Sequence, residues 1–110
     1  MMAKVRHLQV PIKPGAAAKR KTKSFLFDLK TQIVTGSASF SDLASAHSLD
    51  PSKNNGGELG WVKRGSLVKN FETTAFTIGL GEVSDPLETE FGYHILETHP
   101  FLSYLKQLVR

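Results

Sequence analysis

Two segments of the chain, Gly56-Gly57-Glu58-Leu59-Gly60-Trp61 and Thr89-Glu90-Phe91-Gly92-Tyr93-His94-Ile95, decide the fold. The first segment ends a polar loop over residues 50–57 and continues into a short apolar strand, Leu59–Val62. The second contains a tight turn over residues 88–92, after which polar and apolar side chains alternate as far as Thr98. A turn that leads into an alternating strand predicts a hairpin at one side of a small sheet.

Outward from these segments, the sequence predicts one more strand at the start of the chain and three helices. Lys4–Val10 alternates and is ended by prolines and a glycine. Apolar residues recur at helical spacing in three segments, which predicts helices at Ala16–Thr35, at Ser39–Ser48 after a capping box, and at Leu67–Phe76. Val83–Leu87 then leads into the final turn. The order β, α, α, β, α, β, β predicts an α+β fold with a four-stranded, mostly antiparallel sheet and about three to four helices around it.

Composition limits the chain to one domain and excludes several kinds of chemistry. The 110 residues have a mass of 12.1 kDa and include no cysteine, which excludes disulfides, zinc fingers and thiol catalysis. The four histidines show no metal-ligand spacing, so we expect no metal and no cofactor. No apolar run approaches the roughly 18 residues of a membrane span, and we do not expect Met1 to open a signal peptide.

Positive charge is concentrated in the first part of the chain. Residues 1–30 carry eight Lys or Arg against one Asp, a balance of +7, whereas residues 31–110 carry six against nine acids, a balance of −3. This asymmetry disfavours a general nucleic-acid-binding module, which needs a basic face assembled across the fold. The run from Lys19 to Lys23, with Lys13, is open to three interpretations: a solvated helix face, a phosphate-selecting site, or affinity for acidic clients or surfaces.

Five motifs in register carry a resemblance to a known family. They are Phe40-Ser41-Asp42-Leu43-Ala44, residues 56–61, Arg64-Gly65-Ser66-Leu67-Val68, Gly81-Glu82-Val83-Ser84 and residues 89–95. In this order and spacing, from about Lys4 to Thr98, the chain resembles the parvulin family of peptidyl-prolyl cis/trans isomerases, and its bacterial members in particular. The resemblance implies a parvulin-like fold over residues 4–99, with residues 100–110 as a tail, a frayed helix or the start of a following segment.

The resemblance implies roles for nine residues. His7, Asp50, Thr89 and His94 match a hydrogen-bonded network under the active site, and Leu59, Val62, Leu67, Phe71 and Phe91 match the apolar pocket that grips the substrate proline. Val62 stands where some members have Phe. Without the resemblance, the sequence favours structural roles for these residues. The histidines would be core residues, Asp50 and Thr89 would be turn residues, and the five apolar residues would belong to an ordinary core. We expect His7 and His94 to touch, with at least one ring neutral at pH 7, because two buried imidazoles in contact cannot both be charged cheaply.

The implied function is isomerisation of Xaa-Pro bonds in unfolded or partly folded proteins, by a noncovalent mechanism. Its partners would be proline-containing peptides and unfolded protein clients, with no specific nucleic acid, and the fragment would be monomeric. The alternative is a weakly active or inactive parvulin module that binds unfolded clients within a larger chaperone. Bacterial resemblance also favours an extracytoplasmic location, periplasmic or in the cell envelope, as part of a longer protein.

Overall fold

The described part of the chain contains four strands and three α-helices. The computed structural model describes residues 2–79 and 81–98. The strands are β1 (Met2–Val10), β2 (Glu58–Lys63), β3 (Leu87–Thr89) and β4 (Gly92–Thr98); the helices are α1 (Ala16–Val34), α2 (Phe40–His47) and α3 (Lys69–Thr77), with a short 3-10 helix at Pro51–Asn55. None of these helices is long and apolar enough to cross a membrane.

The strands form one sheet in the order β2-β1-β4-β3, and every neighbouring pair is antiparallel. The first strand of the chain therefore lies in the interior of the sheet, paired with the last strand from Val5–Thr98 to Val10–Tyr93. Helices cover both faces of this central strand, which explains why Val5 and Leu8, three positions apart and on opposite faces, are both fully buried.

Each face of the sheet has its own apolar core. The core on the face covered by α1 and α2 includes buried residues from both helices and from the sheet: Leu8, Val10, Leu26, Leu29, Phe40, Ala44, Val83, Tyr93 and Ile95. On the other face, Phe71 and Ala75 of α3 pack against Val5, Val62 and Leu96 of the sheet. The second core is smaller and lies partly open, because polar residues of the same face, His7 and His94, occupy the rest of the central strands.

A glycine at the start of β2 brings the preceding loop against β1. The amide of His7 donates to the carbonyl oxygen of Gly57 at 2.9 Å. Gly57 has a φ of +83°, and a Cβ placed there would overlap the carbonyl oxygen of His7. Only glycine satisfies both conditions without strain. The loop before β2 is thus fixed beside His7.

The predicted order of elements and the antiparallel four-stranded sheet are confirmed, whereas three boundaries differ. Residues 50–57, predicted as a loop, contain the 3-10 helix, whose start is capped by the Asp50 carboxylate accepting from the Ser52 amide at 2.9 Å. The third strand begins at Leu87 rather than Val83, because Pro86 has no N–H for the ladder. Helix α3 begins at Lys69, after Val68 with extended ψ of 147°. Residues 99–110, including the predicted tail, lie outside the described residues.

Candidate active site

Two histidines from neighbouring strands meet on the α3 face of the sheet. His7 lies in β1 and His94 in β4, and both are buried. The register pairs Gln9 with His94, so the two imidazoles are diagonal neighbours on one face. Their rings are nearly parallel with centroids 5.3 Å apart, and Nδ1 of one lies 3.1 Å from Nδ1 of the other. The predicted contact between the histidines is confirmed.

The partners at the two ends of this pair assign its tautomers. A carboxylate only accepts, and Oδ2 of Asp50 lies 3.2 Å from Nε2 of His7, so this nitrogen carries the proton in a neutral ring. Nδ1 of His7 then accepts from Nδ1 of His94, and Nε2 of His94, left without a proton, accepts from the Thr89 hydroxyl at 2.7 Å. Along the series Thr89, His94, His7 and Asp50, each residue therefore directs its proton toward the next, and the series ends at the Asp50 carboxylate.

The hydrogen-bond geometry differs between the Thr89 end and the Asp50 end of this series. Thr89 is well anchored, because its hydroxyl oxygen also accepts from the Phe91 amide at 3.1 Å. At the other end, Nε2 of His7 is close to Asp50 yet lacks a well-aligned hydrogen bond. This end of the network is therefore the one open to rearrangement.

Burial and hydrogen bonds keep His94 neutral and Asp50 ionised. Burial, reinforced by the adjacent His7 ring and only partly opposed by Asp50, lowers the pKa of His94 from 6.5 to about 4. His94 is therefore neutral at pH 7, as the sequence predicts for at least one ring. Partial burial would raise the pKa of Asp50, but hydrogen bonds from Ser52 and His7 outweigh it and lower that pKa from its usual value.

A buried hydroxyl holds Asp50 in place. Ser48, at the C-terminal end of α2, is only 3% exposed. Its Oγ accepts from the backbone amides of Gln9, at 3.0 Å, and Asp50, at 3.3 Å. The amide of Leu49 also donates to the carbonyl oxygen of Gln9 at 2.8 Å. These bonds tie the Asp50 segment to the strand that carries His7.

A cleft of about 530 Å³ opens above the histidine pair. It is lined by His7, Gln9, Asp50, Leu59, Ser66, Leu67, Val68, Phe71, Thr89, Phe91 and His94. Phe71 stands edge-on to both imidazoles, with ring centroids 5.6 Å from His7 and 5.4 Å from His94. The cleft thus combines an apolar wall with a polar floor, in which His94 and Thr89 are hydrogen-bonded to each other.

Eight of the nine predicted site residues line this cleft, and Val62 does not. Val62 lies in the core below, packed with Val5, Phe71, Ala75 and Leu96. The reason is a bulge: Val5 faces Gly60 while Arg6 faces Glu58, which leaves Leu59 as the extra residue. The bulge aims Leu59 into the cleft, while Val62, assigned to the pocket only through the resemblance, stays in the core. Phe91, 63% exposed, forms the rim rather than a closed wall.

Sequence reasoning missed four contributors. Gln9, Ser66 and Val68 line the cleft, and Ser48 positions Asp50. The side-chain amide of Gln9 donates to the carbonyl oxygen of Phe91 at 2.9 Å and so holds the rim. Strand alternation could have identified Gln9, which shares a face with His7. Nothing in the sequence marks Ser48, since its role depends on tertiary contact with β1.

Comparison with known proteins agrees with this geometry. Residues 7–100 match the family model described as the rotamase, PPIC-type PPIase domain. The chain belongs to the PPIC-type rotamase (parvulin) family. It is a peptidyl-prolyl isomerase domain by class, and the predicted family and fold are confirmed.

Relatives of this parvulin domain include bacterial foldases and chaperones. The foldase protein PrsA of Geobacillus kaustophilus is 52% identical over 59 residues, which cover 53% of this chain and 21% of that protein. The solved peptidylprolyl isomerase PrsA of Bacillus anthracis is 32% identical with a TM-score of 0.74, covering 89% of this chain and 41% of the other. A SurA-like chaperone of Campylobacter jejuni, one of a pair that includes a periplasmic protein, is 31% identical with a TM-score of 0.69 over 89% and 38%. The chain spans about a fifth of the length of the curated relatives it matches.

Proposed function

We propose that this parvulin domain catalyses cis/trans isomerisation of Xaa-Pro bonds in unfolded or partly folded polypeptides. The observation that carries the proposal is the apolar cleft built directly over a buried pair of histidines, of which His94 is neutral at pH 7. Rotation about a peptide C–N bond costs about 18–20 kcal/mol. A catalyst of this rotation needs no nucleophile; it must bind the twisted imide better than the planar one.

The apolar wall supports the proposal because it can hold a proline ring still. Leu59, Leu67 and Phe71 line one side of the cleft, and the two imidazoles brace the Phe71 ring. With the ring fixed, the preceding segment of the client turns about the imide bond. A thousandfold acceleration requires only about 4 kcal/mol of preferential binding to the twisted state, which a preorganised cleft can supply.

The ionised Asp50 adds an electrostatic preference in the same direction. Its lowered pKa keeps the carboxylate charged at neutral pH, at the edge of an apolar cleft. Twisting removes amide resonance and makes the carbonyl oxygen less negative. A fixed negative charge near that oxygen disfavours the planar state more than the twisted one, so binding favours the transition state.

Plain rather than phosphorylated Xaa-Pro bonds are the proposed substrates. Of the described residues that line the cleft, none is Lys or Arg, and one is an ionised Asp. A phosphate beside the Xaa-Pro imide would meet the Asp50 carboxylate, and no cation among the described lining residues could pair with it. We therefore expect phosphorylated Ser-Pro peptides to be turned over no faster than plain ones.

We also propose a setting outside the cytoplasm, with unfolded proteins as clients. The support is the likeness to PrsA foldases and to SurA-like chaperones, among which one relative's pair includes a periplasmic protein. The domain would then be one module of a longer chain. We retain residues 4–99 as its proposed extent and residues 100–110 as a tail or connecting segment.

The test is NMR exchange spectroscopy on plain Xaa-Pro peptides, with and without the domain. We expect exchange between cis and trans peaks to accelerate, and Leu67→Ala to remove most of the gain. Exchange no faster than in buffer would overturn the enzymatic proposal. Peptide binding without acceleration would support the alternative, a client-binding module without catalysis.

A further inference from the structure

A second groove, here called the α1 groove, lies between the first half of α1 and the end of β1. Its volume is about 570 Å³, slightly larger than that of the cleft, and it shares no residue with the cleft. It is lined by Val10, Pro11, Lys13, Ala17, Ala18, Lys21, Thr22 and Phe25. The α1 members recur at intervals of three and four residues, so they form one face of the helix.

The chemistry of the α1 groove is apolar with two cations. Small side chains such as Ala17 and Ala18 leave the space open, and Phe25, packed edge-on against His47 at 5.2 Å, ends it. Lys13 and Lys21 are exposed, and within residues 2–79 and 81–98 neither has a carboxylate partner. No acidic side chain is among the described residues that line the groove.

Other cations of the basic segment are engaged elsewhere. The Lys19 ammonium lies 3.7 Å from the Glu88 carboxylate, and the Lys23 ammonium lies 6.0 Å from the centroid of the Tyr93 ring. Lys30, further along α1, pairs with Asp85 at 2.7 Å. The segment is therefore not a uniform solvated face: some of its cations secure α1 to the sheet side, while Lys13 and Lys21 border an apolar groove.

We propose that the α1 groove binds an acidic, extended segment of a client polypeptide, with an apolar side chain inside the groove and carboxylates at Lys13 and Lys21. The balance of +7 over residues 1–30 against −3 over the remainder would draw acidic segments to this end of the domain. The site goes beyond the proposed isomerisation, because the ligand needs no proline.

The α1 groove lies close enough to the cleft for one client chain to reach both. Gln9 lines the cleft, and the next residues of the strand, Val10 and Pro11, line the groove on the opposite face. Because consecutive Cα atoms are about 3.8 Å apart, lining residues of the two sites are adjacent along β1, on opposite faces of the sheet. A client held by its acidic segment would present nearby prolines to the cleft at raised local concentration.

Other occupants fit the groove less well. Residues 99–110 of this chain carry Lys106 and Arg110 and no acid, so they share the charge of the groove. An anionic lipid surface would bind a face of protruding apolar groups, whereas the groove is a concave surface whose apolar floor includes the small side chains of Ala17 and Ala18. A nucleic acid would meet Glu88 beside Lys19.

The test uses a proline-free peptide, acetyl-Glu-Asp-Leu-Phe-Asp-Glu-amide, and its Gln/Asn counterpart, followed by 15N NMR shifts of the whole chain. We expect shifts confined to residues 10–25, loss of affinity with added salt, and no binding of the neutral peptide. The double variant Lys13→Gln/Lys21→Gln should weaken binding by roughly five- to tenfold. The matched control, Lys53→Gln/Lys63→Gln, removes the same charge from exposed positions away from the groove and should leave affinity unchanged.

Several outcomes would overturn the proposal. Equal weakening by both double variants would show a response to net charge alone, and shifts at His7 and Phe71 would place the peptide in the cleft. Binding to phosphatidylglycerol vesicles or to a DNA duplex, without binding of the peptide, would assign Lys13 and Lys21 to another partner. Because the peptide has no proline, none of these outcomes depends on whether the domain is catalytically active.

Discussion

Nδ1 of His7 lies 3.1 Å from Nδ1 of His94, although the two residues are 87 positions apart in the sequence. Only one proton fits between two nitrogens at this distance. The arrangement therefore requires at least one ring to stay neutral, and burial selects His94, whose pKa is lowered to about 4. Protonation of this ring is a direct route by which acid would disturb the site.

The domain should lose stability as the pH falls from 6.5 toward 4. Between these values the unfolded chain binds a proton at His94 and the folded chain does not, so acid favours unfolding. The loss expected at pH 5 is about 2 kcal/mol. Asp50, whose pKa is lowered in the folded state, adds a further loss as the pH falls below the usual carboxyl value of 3.8. Urea unfolding at pH 7 and pH 5 measures the difference.

NMR of the His94 ring provides an independent check. Its proton shifts should stay constant from pH 8 to pH 5.5, since the ring remains neutral there. A titration centred near pH 6.5 with full retention of structure would contradict the buried, coupled pair.

Truncating the cleft wall should separate catalysis from folding. Leu67 is partly exposed at the cleft, so Leu67→Ala should lower kcat/KM by about tenfold through lost contact with proline. Its melting temperature should fall by only a few degrees. Phe71 is only 4% exposed, and Phe71→Ala would cost about 3–5 kcal/mol. Phe71→Leu is therefore the variant to assay.

Val34→Ala supplies the control for the cleft variants, because Val34 is 67% exposed and lies outside the cleft lining. Neither its turnover nor its melting temperature should change. If Leu67→Ala behaved like Val34→Ala, the apolar wall would have no part in substrate binding.

Removing the acceptor at the end of the histidine chain should release its tautomers. Asp50→Ala leaves Nε2 of His7 without the carboxylate and the Ser52 amide without its cap. We expect mixed tautomers in the 15N ring spectra and a loss of roughly tenfold in kcat/KM. Asp50→Asn keeps an acceptor oxygen without the charge, so it should keep the tautomers and lose part of the activity. Identical behaviour of the two variants would remove the electrostatic argument.

Ser48→Ala should lower both the stability of the domain and its activity, because Ser48 holds the Asp50 segment against β1. The variant leaves the amides of Gln9 and Asp50 without their shared acceptor, at a cost of about 1–3 kcal/mol or roughly 5–15 °C in melting temperature. Turnover should fall as Asp50 drifts from His7. Ser24→Ala, at an exposed position of α1, is the matched control and should change neither quantity.

Two glycines of one segment separate steric overlap from backbone strain. Gly57 and Gly60 both have positive φ, +83° and +74°, but a Cβ would overlap the His7 carbonyl oxygen at Gly57 and meet nothing within 4 Å at Gly60. Gly60→Ala should cost about 1–2 kcal/mol from conformation alone. Gly57→Ala should cost clearly more or prevent folding, as measured by circular dichroism and melting. Equal costs would show that β1 yields to the added methyl group.

Periodicity was enough to predict the elements whose environment is regular, and it failed where tertiary contacts decide. The alternation of β1 and the helical spacing of α1 follow from burial against a sheet, so both are visible in sequence. The bulge that turns Leu59 toward the cleft and leaves Val62 in the core depends on pairing with a distant strand. A single sequence contains no sign of that pairing.

The candidate site shows the same division. The resemblance supplied His7, His94 and the residues around them, since these lie in recognisable motifs. Ser48 and the 3-10 helix after Asp50 arise from hydrogen bonds that local preference does not encode. Of the residues that were missed, Gln9 could have been predicted, because strand alternation places it on the same face as His7.

The position of β1 within the sheet also has a consequence for how the domain is made. A ribosome delivers β1 first and β4 last, and the two strands pair across nearly the whole chain. Until β4 emerges, Val5 and Leu8 have no neighbour on that side, and such long-range pairing is slow to form. The newly made domain thus remains, during synthesis, an unfolded chain with exposed apolar residues and five prolines, the kind of molecule on which the finished domain is proposed to act.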